Sequence, residues 1–225
     1  FLEHELDMWY LRSIEKGWGK FARTVKQEKP ELNEAIAKQL SFLRVTEPLM
    51  EEMFEELNLD TDIMKWDKSV LIKIAAELRK ATKPMLIACN KIDIPGSDVN
   101  FEKLKKQFPD HIIIPCSAES ELALKEAAKH GLISYVPGEN NFEIISNEKL
   151  NERQKKALDF IKINVLEKYK ATGVQEVLDK AVFELLKYKA IFPGGINKLQ
   201  DQHGNVLPDC FLLPGNSTAL DFAYK

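Results

Sequence analysis

The sequence predicts an α/β fold in which a parallel sheet follows a region of helices and precedes a region of short strands. Apolar residues recur with the helical period from the first residue to about Lys80. Two short apolar runs, Pro84–Cys89 and His111–Pro115, then alternate with helical segments, which is typical of parallel strands and their crossover helices. Beyond Lys187, turn residues separate short β-prone runs. A chain of 225 residues is long enough for one large domain or two small ones.

The helical region begins with a pattern over Phe1 to Val25 in which the apolar side chains form a single stripe. The stripe consists of Leu2, Leu6, Trp9, Ile14, Trp18, Phe21 and Val25. Pro30 interrupts this pattern and a second helical pattern follows. Thr46 is expected to cap the next helix, with Pro48 in its first turn. Asp67 is expected to cap a further helix, which carries an apolar face of Val70, Leu71, Ile74 and Leu78.

The two apolar runs are predicted to be strands buried on both faces of the sheet, because consecutive apolar residues point to opposite faces. A short helix is expected at about Phe101–Gln107 after the first strand, and another at Glu121–His130 after the second. Gly131 is the expected end of the second helix, because glycine readily adopts the left-handed conformation found there.

The last part of the chain is predicted to contain two amphipathic helices and then short strands. The helices cover Asn151–Lys170 and Gly173–Leu186. We interpret the lysines of the first as a solvated helix face rather than an RNA-binding surface. The strands are expected near Ala190–Pro193 and Cys210–Leu213, with a turn at Gly204-Asn205.

Composition and charge exclude several classes of protein. The net charge of −3 creates no strong field that would attract nucleic acid or a membrane to the whole surface. Three widely spaced cysteines, Cys89, Cys116 and Cys210, favour a reducing cytoplasm over a disulfide scaffold, and none belongs to a CxxC pair. No apolar run approaches the ~20 residues of a membrane helix, and the chain does not begin with a signal peptide. We expect a cytoplasmic protein with no membrane partner and no metal site in this chain.

A polar segment, Asn90-Lys91-Ile92-Asp93, directly follows the first predicted strand. In open α/β sheets, ligands bind beyond the carboxyl ends of the strands. The Asp93 carboxylate can accept two parallel hydrogen bonds, from the N1–H and the exocyclic amine of guanine. Adenine lacks both donors there, and sites of this kind discriminate by ~10⁴ or more. The structural alternative is a simple polar turn, since Asn and Asp favour turns.

The two neighbours of Asp93 have expected roles as well. Asn90 is expected either to hold the other edge of the base or to brace a neighbouring loop. Lys91 is expected to lay its alkyl stem along the face of the base.

A second polar segment, Cys116-Ser117-Ala118-Glu119, follows the second predicted strand. Parallel neighbouring strands end at the same edge of a sheet, so both segments are expected to lie together. Ala118 is small enough to let its backbone N–H approach guanine O6, and Ser117 is expected to fix the loop that carries Asp93. Taken alone, Ser117-Ala118 is more typical of an ordinary helix start. The predicted nucleotide-binding residues are Asn90, Lys91, Asp93, Ser117, Ala118 and Glu119.

The phosphate-binding half of a nucleotide site is missing from the sequence. No segment matches GxxxxGK[ST], since Gly19-Lys20 is followed by Phe21. The DxxG matches Asp93–Gly96 and Asp201–Gly204 follow no such loop, and we interpret both as coincidence. The chain begins without Met inside a helical pattern and ends as another helix begins, so we expect a piece of a longer protein. The phosphate-binding and magnesium-binding parts of a nucleotide site, and its catalytic residues, are then expected outside this chain.

Four stretches of the sequence resemble the archaeal relatives of the YchF-type, Obg-like GTPases. They are Phe1–Trp9, Asn90–Asp93, Thr172–Val177 and Asp201–Pro208. The resemblance implies the second half of a P-loop GTPase domain, an all-α insertion that precedes its base-binding motifs, and the start of a β-grasp module of the TGS type. On that plan, residues 1–81 are the insertion, 82–186 the GTPase half, and 187–225 the incomplete TGS module.

The resemblance also implies a function. We expect GTP or GDP as the ligand with Mg²⁺, GTP hydrolysis by the complete protein, a ribosomal or RNA partner, and no oligomer. YchF proteins proper carry Glu at the position of Asp93 and are linked to ATP, so a YchF-type ATPase is an alternative that Asp93 disfavours. A second alternative is a non-enzymatic docking module for ribosomes or RNA, with a vestigial nucleotide site.

Overall fold

The computed structural model describes residues 2–194, 199–200, 203–207 and 209–224. It contains helices and a parallel pair of strands, so the predicted α/β class is confirmed. The chain divides into two compact units, Phe1–Pro84 and Met85–Lys225. We call them the helical unit and the strand-bearing unit.

The helical unit consists of helices joined by short turns. The α-helices are α1 (Leu2–Glu15), α2 (Trp18–Glu28), α3 (Leu32–Gln39), α4 (Glu47–Glu56) and α5 (Lys68–Thr82), with single 3₁₀ turns at Ser41–Leu43 and Ile63–Lys65. Asp67 caps α5 as predicted, because its carboxylate accepts a hydrogen bond from the Val70 N–H at 3.0 Å. Thr46 occupies the N-cap position of α4 as predicted, but its side chain makes no capping hydrogen bond, and Pro48 lies in the first turn of that helix.

The predicted single stripe over Phe1 to Val25 is wrong. Gly17 has a φ of 86°, a conformation that favours glycine, and it separates α1 from α2. The change of direction breaks the helical phase, so the stripe does not stay on one face. The buried residues of the two helices are Tyr10, Leu11, Ile14, Trp18 and Ala22. Leu2 and Trp9, two members of the predicted stripe, are 65% and 47% exposed.

The core of the helical unit is apolar and draws on every one of these helices. Stacked Trp18 and Trp66, whose ring centroids lie 5.5 Å apart, form one part of it. Helices α1 and α5 form another part, where Ile14, Ile74 and Leu78 are buried. Burying aliphatic and aromatic side chains in this way is the main source of stability for a small helical unit.

The strand-bearing unit is built around short strand pairs. Strands β1 (Ile87–Cys89) and β2 (Ile113–Pro115) pair in parallel, with Cys89 opposite Pro115. Strands β3 (Ile133–Ser134) and β4 (Glu143–Ile144) form an antiparallel pair that the sequence pattern did not predict. Helix α6 (Ser97–Gln107) connects β1 to β2, and α7 (Ala118–Lys129) follows β2. Both helices begin earlier than predicted, because Gly96 and Ser117 are their N-terminal caps.

The prediction that both apolar runs are buried on two faces is also wrong. Ala88 is exposed, and Ile87 and Cys89 are only partly buried. In β2, Ile114 is buried but its neighbours are partly buried. Among the described residues β1 pairs only with β2, and neither strand is buried along its whole length.

The remaining helices of this unit contain wide turns. Helix α8 (Glu152–Ile161) begins with the capping box of Asn151 and Gln154, continues through a π-helical segment (Lys162–Leu166) and ends in α9 (Glu167–Tyr169). Helix α10 (Val174–Asp179) likewise continues into a π-helical segment (Lys180–Leu185). The helical pattern predicted for each stretch is confirmed, and the π-helical segments were not anticipated.

The end of the chain contains an antiparallel strand pair and a short helix. Strand β5 (Tyr188–Ile191) pairs with β6 (Phe211–Pro214), and α11 (Ala219–Ala223) is capped by Thr218. Gly204 has a φ of 85° in a turn flanked by an antiparallel bridge between Gln200 and Val206. Asp201, Gln202 and Pro208, which belong to a stretch that carries the family resemblance, lie outside the described residues, as does Phe1. In the described part of the chain, no helix is both long and apolar enough to cross a membrane.

Candidate functional site

The parallel pairing of β1 and β2 brings the two predicted base-binding segments together. The Cys116 N–H donates to the Cys89 carbonyl at 3.0 Å, which extends the ladder to the ends of both strands. The chain then leaves β1 through Asn90–Asp93, which we call the Asn90 loop. It leaves β2 through Cys116–Glu119, which we call the Ser117 loop. The two loops start at one edge of the sheet, where ligands bind in α/β folds.

The Asn90 side chain joins the two loops. Its Oδ1 accepts hydrogen bonds from the N–H of Lys91 at 2.8 Å and from the N–H of Ala118 at 3.1 Å. Of the two roles considered for Asn90, the structure places it as a brace of the neighbouring loop. A second bond joins the loops through the backbone, since the Ile92 N–H donates to the Cys116 carbonyl at 3.1 Å.

The Asn90 loop is held in a narrow range of conformations. Lys91 has a φ of 66°, which is uncommon for a residue other than glycine and is typical of functional turns. Ile92 is 4% exposed, so its side chain fixes the loop from below while Lys91 is exposed. Asp93 is half-buried, and no hydrogen bond or ion pair is described for its carboxylate within the described residues. The carboxylate is therefore available to a ligand.

The turn after Asp93 explains the DxxG match at this place. The Ser97 hydroxyl donates to the carbonyls of Ile92 at 2.8 Å and Ile94 at 2.6 Å. Gly96 has a φ of 84° and forms the N-cap of α6. Its role is conformational, which agrees with the interpretation of the match as coincidence.

The structure corrects the expected role of Ser117. Its hydroxyl donates to the Ser120 hydroxyl at 2.8 Å and accepts from the Ser120 N–H at 3.3 Å, so it caps α7 and does not fix the loop that carries Asp93. Backbone bonds and Asn90 fix that loop instead. Ser117 is fully buried, whereas Ala118 and Glu119 are exposed at the start of α7.

The first turn of α7 presents backbone donors toward the Asn90 loop side of the sheet edge. The Ala118 N–H donates to Asn90 and the Ser120 N–H to Ser117. No acceptor is described for the Glu119 N–H in the part of the chain that the structure describes. A helix N-terminus carries a partial positive charge, so an electron-rich oxygen is favoured here.

A buried carboxylate lies behind the Ser117 loop, and the sequence pattern did not reveal it. Glu121 Oε2 accepts from the Thr172 hydroxyl at 2.6 Å and from the Tyr135 hydroxyl at 2.7 Å. We call these three residues the Glu121 cluster. The Thr172 carbonyl also accepts from the Ser117 N–H at 2.8 Å. The one signal in the sequence is the Thr172-Gly173 pair between two predicted helices, which belongs to a stretch that carries the family resemblance.

The environment of the site shifts several acid–base equilibria. Burial, together with the hydrogen bond to Glu121, raises the pKa of Tyr135 to about 12, so its hydroxyl stays protonated and donates. Burial also raises the pKa of the Cys89 and Cys116 thiols. Both cysteines are therefore thiols at neutral pH, as expected of small side chains packed beneath a site.

An open cleft of about 450 Å³ lies beside the Asn90 loop. Its walls are β1, the residues from Asn90 to Ile92, the turn from Ile94 to Ser97, and one face of α6. Asp93 and the residues of the Ser117 loop do not line it. The cleft therefore adjoins the predicted base site without containing all of it. Among the described residues no group of His, Cys, Asp and Glu side chains is arranged to hold a metal ion.

The chain is similar to several known proteins. Residues 88–194 match the model of a family described as the Obg-like GTPase YGR210-like, G4 motif-containing domain. An uncharacterized GTP-binding protein of Methanocaldococcus jannaschii is 46% identical over 100% of this chain and 56% of its own length. An uncharacterized GTP-binding protein of Schizosaccharomyces pombe is 28% identical over 97% of this chain and 55% of its own length.

A solved structure is similar as well. The crystal structure of a GTP-binding protein from Pyrococcus horikoshii OT3 superposes with a TM-score of 0.75 and 40% identity, over 100% of this chain and 59% of that one. The matched family segment includes both predicted base-binding loops and Thr172-Gly173. The chain spans somewhat more than half the length of the relatives it matches.

Proposed function

We propose that this chain supplies the guanine-binding part of a GTP-binding protein. The observation that carries the proposal is the hydrogen bond from Ala118 N–H to Asn90 Oδ1, which joins the two predicted base-binding loops at one sheet edge. Two polar segments, each following its own parallel strand and joined to the other, are far more specific than a lone polar turn. The similarity to GTP-binding proteins supports the same conclusion.

Guanine recognition is assigned to Asp93 and the first turn of α7. The Asp93 carboxylate accepts from the N1–H and the exocyclic amine of the base. Guanine O6 lies toward the N–H groups of Ala118 and Glu119. It either accepts from the Ala118 N–H together with Asn90 Oδ1 or takes the place of Asn90 Oδ1 as the acceptor. The alkyl stem of Lys91 covers one face of the base, since Lys91 is exposed and its left-handed backbone directs it out of the turn.

For the complete protein we propose a GTPase switch. Residues 1–81 form a helical insertion, 82–186 the base-binding half of the GTPase domain, and 187–225 the start of a TGS-like module. The phosphate-binding loop, the catalytic residues and the Mg²⁺ ligands are assigned to a part outside this chain. A ribosomal or RNA partner in the cytoplasm is the partner class that the family resemblance implies.

The test is a calorimetric titration of the complete gene product with GDP and, separately, with ADP, both with magnesium. We expect clear preference for GDP. The Asp93→Asn variant loses a charged acceptor and should bind GDP about 10- to 100-fold more weakly, the equivalent of a charge-assisted hydrogen bond. The same variant should gain affinity for xanthosine diphosphate, which carries a carbonyl where guanine has its amine, because the introduced amide donates to it.

A matched control is Asp98→Asn, which removes a nearby carboxylate that accepts a hydrogen bond from the Lys168 ammonium and makes none with the site. Its GDP affinity should equal that of the wild type. Preference for ADP would favour a YchF-type ATPase. If neither nucleotide binds, the docking module is the alternative that is left, and co-sedimentation with ribosomes becomes the next assay.

A further inference from the structure

The Ser117 loop is held from behind by a turn that lies more than fifty residues further along the chain. The Ser117 N–H donates to the Thr172 carbonyl at 2.8 Å. Gly173 has a φ of 79°, and a Cβ added there would overlap the Pro115 carbonyl oxygen and approach Cys116 Cα to 3.0 Å. The turn and the end of β2 thus pack backbone against backbone, a contact that only glycine permits.

The Glu121 cluster ties this turn to α7. Glu121 is 6% exposed and Thr172 is fully buried. Both hydroxyl donors reach the same carboxylate oxygen, from the turn and from the segment after β3. A buried carboxylate contributes little net stability compared with an apolar side chain of the same size, because its desolvation offsets its hydrogen bonds. Its presence is better explained by the geometry that it imposes on the three segments it joins.

Ser117 connects the Glu121 cluster to the predicted base site. Ser117 is bonded to Thr172 and to Ser120, and the next residue along the chain is Ala118, whose N–H faces the Asn90 loop. A displacement of the turn would move that N–H by a similar amount. Hydrogen bonds weaken steeply with such displacements, so a loop that must contact guanine O6 needs support of this kind.

We propose that Glu121 and Thr172 are positioning residues that set the selectivity of the site for the O6 edge of guanine. The proposal rests on the proposed function, since it assigns to the Ser117 loop the contact with O6. Asp93, on the other loop, contacts the N1–H and the exocyclic amine, which lie beside O6 on the same edge of the base. Asn90 and Ile92 join the two loops, whereas the Glu121 cluster supports the Ser117 loop alone, so changes in the cluster are expected to affect the O6 contact first.

The experiment compares three nucleotides in the complete gene product. 6-Thio-GDP replaces O6 by sulfur, a larger and weaker acceptor, and reports on the Ser117 loop. IDP lacks only the exocyclic amine and reports on Asp93. Thr172→Val leaves the Glu121 carboxylate with one hydroxyl donor fewer. We expect it to weaken GDP binding by about 10-fold, the equivalent of one hydrogen bond, to lower the preference for GDP over 6-thio-GDP, and to leave the preference for GDP over IDP unchanged.

Two further variants separate positioning from stability. Thr172→Ser retains the hydroxyl and should restore both GDP affinity and the 6-thio-GDP preference. Tyr135→Phe keeps the ring in place and should show a smaller effect in the direction of Thr172→Val. The matched control is Thr82→Val, which removes a hydroxyl that bonds to Tyr10 at 2.7 Å in the helical unit. It should change neither preference.

The outcomes are distinguishable from failure of the proposed function. If wild-type protein does not prefer GDP over ADP, the proposed function itself is wrong. If wild type prefers GDP but Thr172→Val lowers the melting temperature and leaves both preferences unchanged, the Glu121 cluster is only structural and the positioning role is wrong. An equal loss for all three nucleotides would also overturn it, because that pattern indicates general loosening of the site.

Discussion

The two units differ in the polar side chains that they bury beside their apolar cores. The core of the helical unit is made of apolar residues. Among them, Ile36, Met50 and Leu78 are fully buried. Of the described residues that are both buried and polar or charged, Arg79 alone belongs to this unit. The others, Ser117, Ser120, Glu121, Ser146 and Thr172, belong to the strand-bearing unit.

The difference follows from what each kind of contact can do. Apolar burial is strong but non-directional, so it stabilises a unit without fixing any atom to within a fraction of an ångström. Hydrogen bonds between buried groups add less net stability but define distances and angles. The strand-bearing unit concentrates such bonds behind the Ser117 loop, where a ligand would need defined geometry.

Arg79 shows that the helical unit uses charge in another way. Its guanidinium is 6% exposed, yet it pairs with Asp7 at 2.8 Å and with Glu3 at 3.3 Å, which are both more exposed. The pair joins α5 to α1 at the rim of an apolar core. It orients one helix against another, whereas the Glu121 cluster orients a loop.

The largest expected effect is on stability, and it comes from the apolar core of the helical unit. Leu78→Ala removes a fully buried side chain from the core of the helical unit. We expect a loss of about 2–5 kcal/mol in unfolding free energy, measured by urea denaturation. Ile72→Ala on the same helix, where the side chain is 42% exposed, should cost less than about 1 kcal/mol. If folded Leu78→Ala protein shows an altered preference for GDP over 6-thio-GDP, the helical core also affects the geometry of the base site. The contrast between the two units would then be wrong.

A pair of glycines tests the strand-bearing unit next. Gly17 and Gly173 are both left-handed, with φ of 86° and 79°, but a Cβ at Gly17 would meet no atom within 4 Å. Gly17→Ala should therefore cost about 1 kcal/mol for the backbone conformation alone. Gly173→Ala adds the overlap with Pro115 and should cost about 2–4 kcal/mol, because packed backbone cannot move aside. Equal losses in urea denaturation would show that the turn yields freely and does not hold the Ser117 loop.

Much of this arrangement could be predicted from local sequence. The strand order, the positions of Asn90 and Ser117 at two strand ends, and the capping of α5 by Asp67 each depend on a few neighbouring residues. Such patterns can be recognised from a few neighbouring residues, so they predict local structure without knowledge of the rest of the fold.

The parts that were wrong or missed depend on residues far apart. A lone glycine such as Gly17 is compatible with a continuous helix, and only packing decides that it breaks one. Whether Ala88 is covered depends on what lies against the sheet, not on its apolar neighbours. In the Glu121 cluster, Glu121 and Thr172 lie 51 positions apart in the sequence. Neither residue belongs to a local pattern that would predict the contact.

The smallest expected effect is a difference in pH dependence that isolates one bond of the Glu121 cluster. Tyr135 has a pKa raised to about 12 from 10.0. Between these values an unfolded Tyr135 loses its proton while the folded one keeps it, so the folded state binds more protons and stability falls as pH rises. The contribution is complete below pH 10 and is lost by about pH 12. Because Tyr135 is partly exposed, we expect a loss of only about 1 kcal/mol.

Tyr135→Phe removes this titration and leaves every other tyrosine in place. Urea denaturation at intervals from pH 9 to 12 should therefore give a shallower decline for Tyr135→Phe than for the wild type. The lost hydrogen bond lowers the free energy of unfolding at every pH. The slope of that free energy against pH, and not its absolute value, therefore tests the prediction. Parallel curves would mean that the Tyr135 hydroxyl is solvated rather than bonded to a buried carboxylate. In that case Thr172 alone would connect Glu121 to the rest of the fold, and the contrast between a directional and a non-directional core would rest on a single hydroxyl.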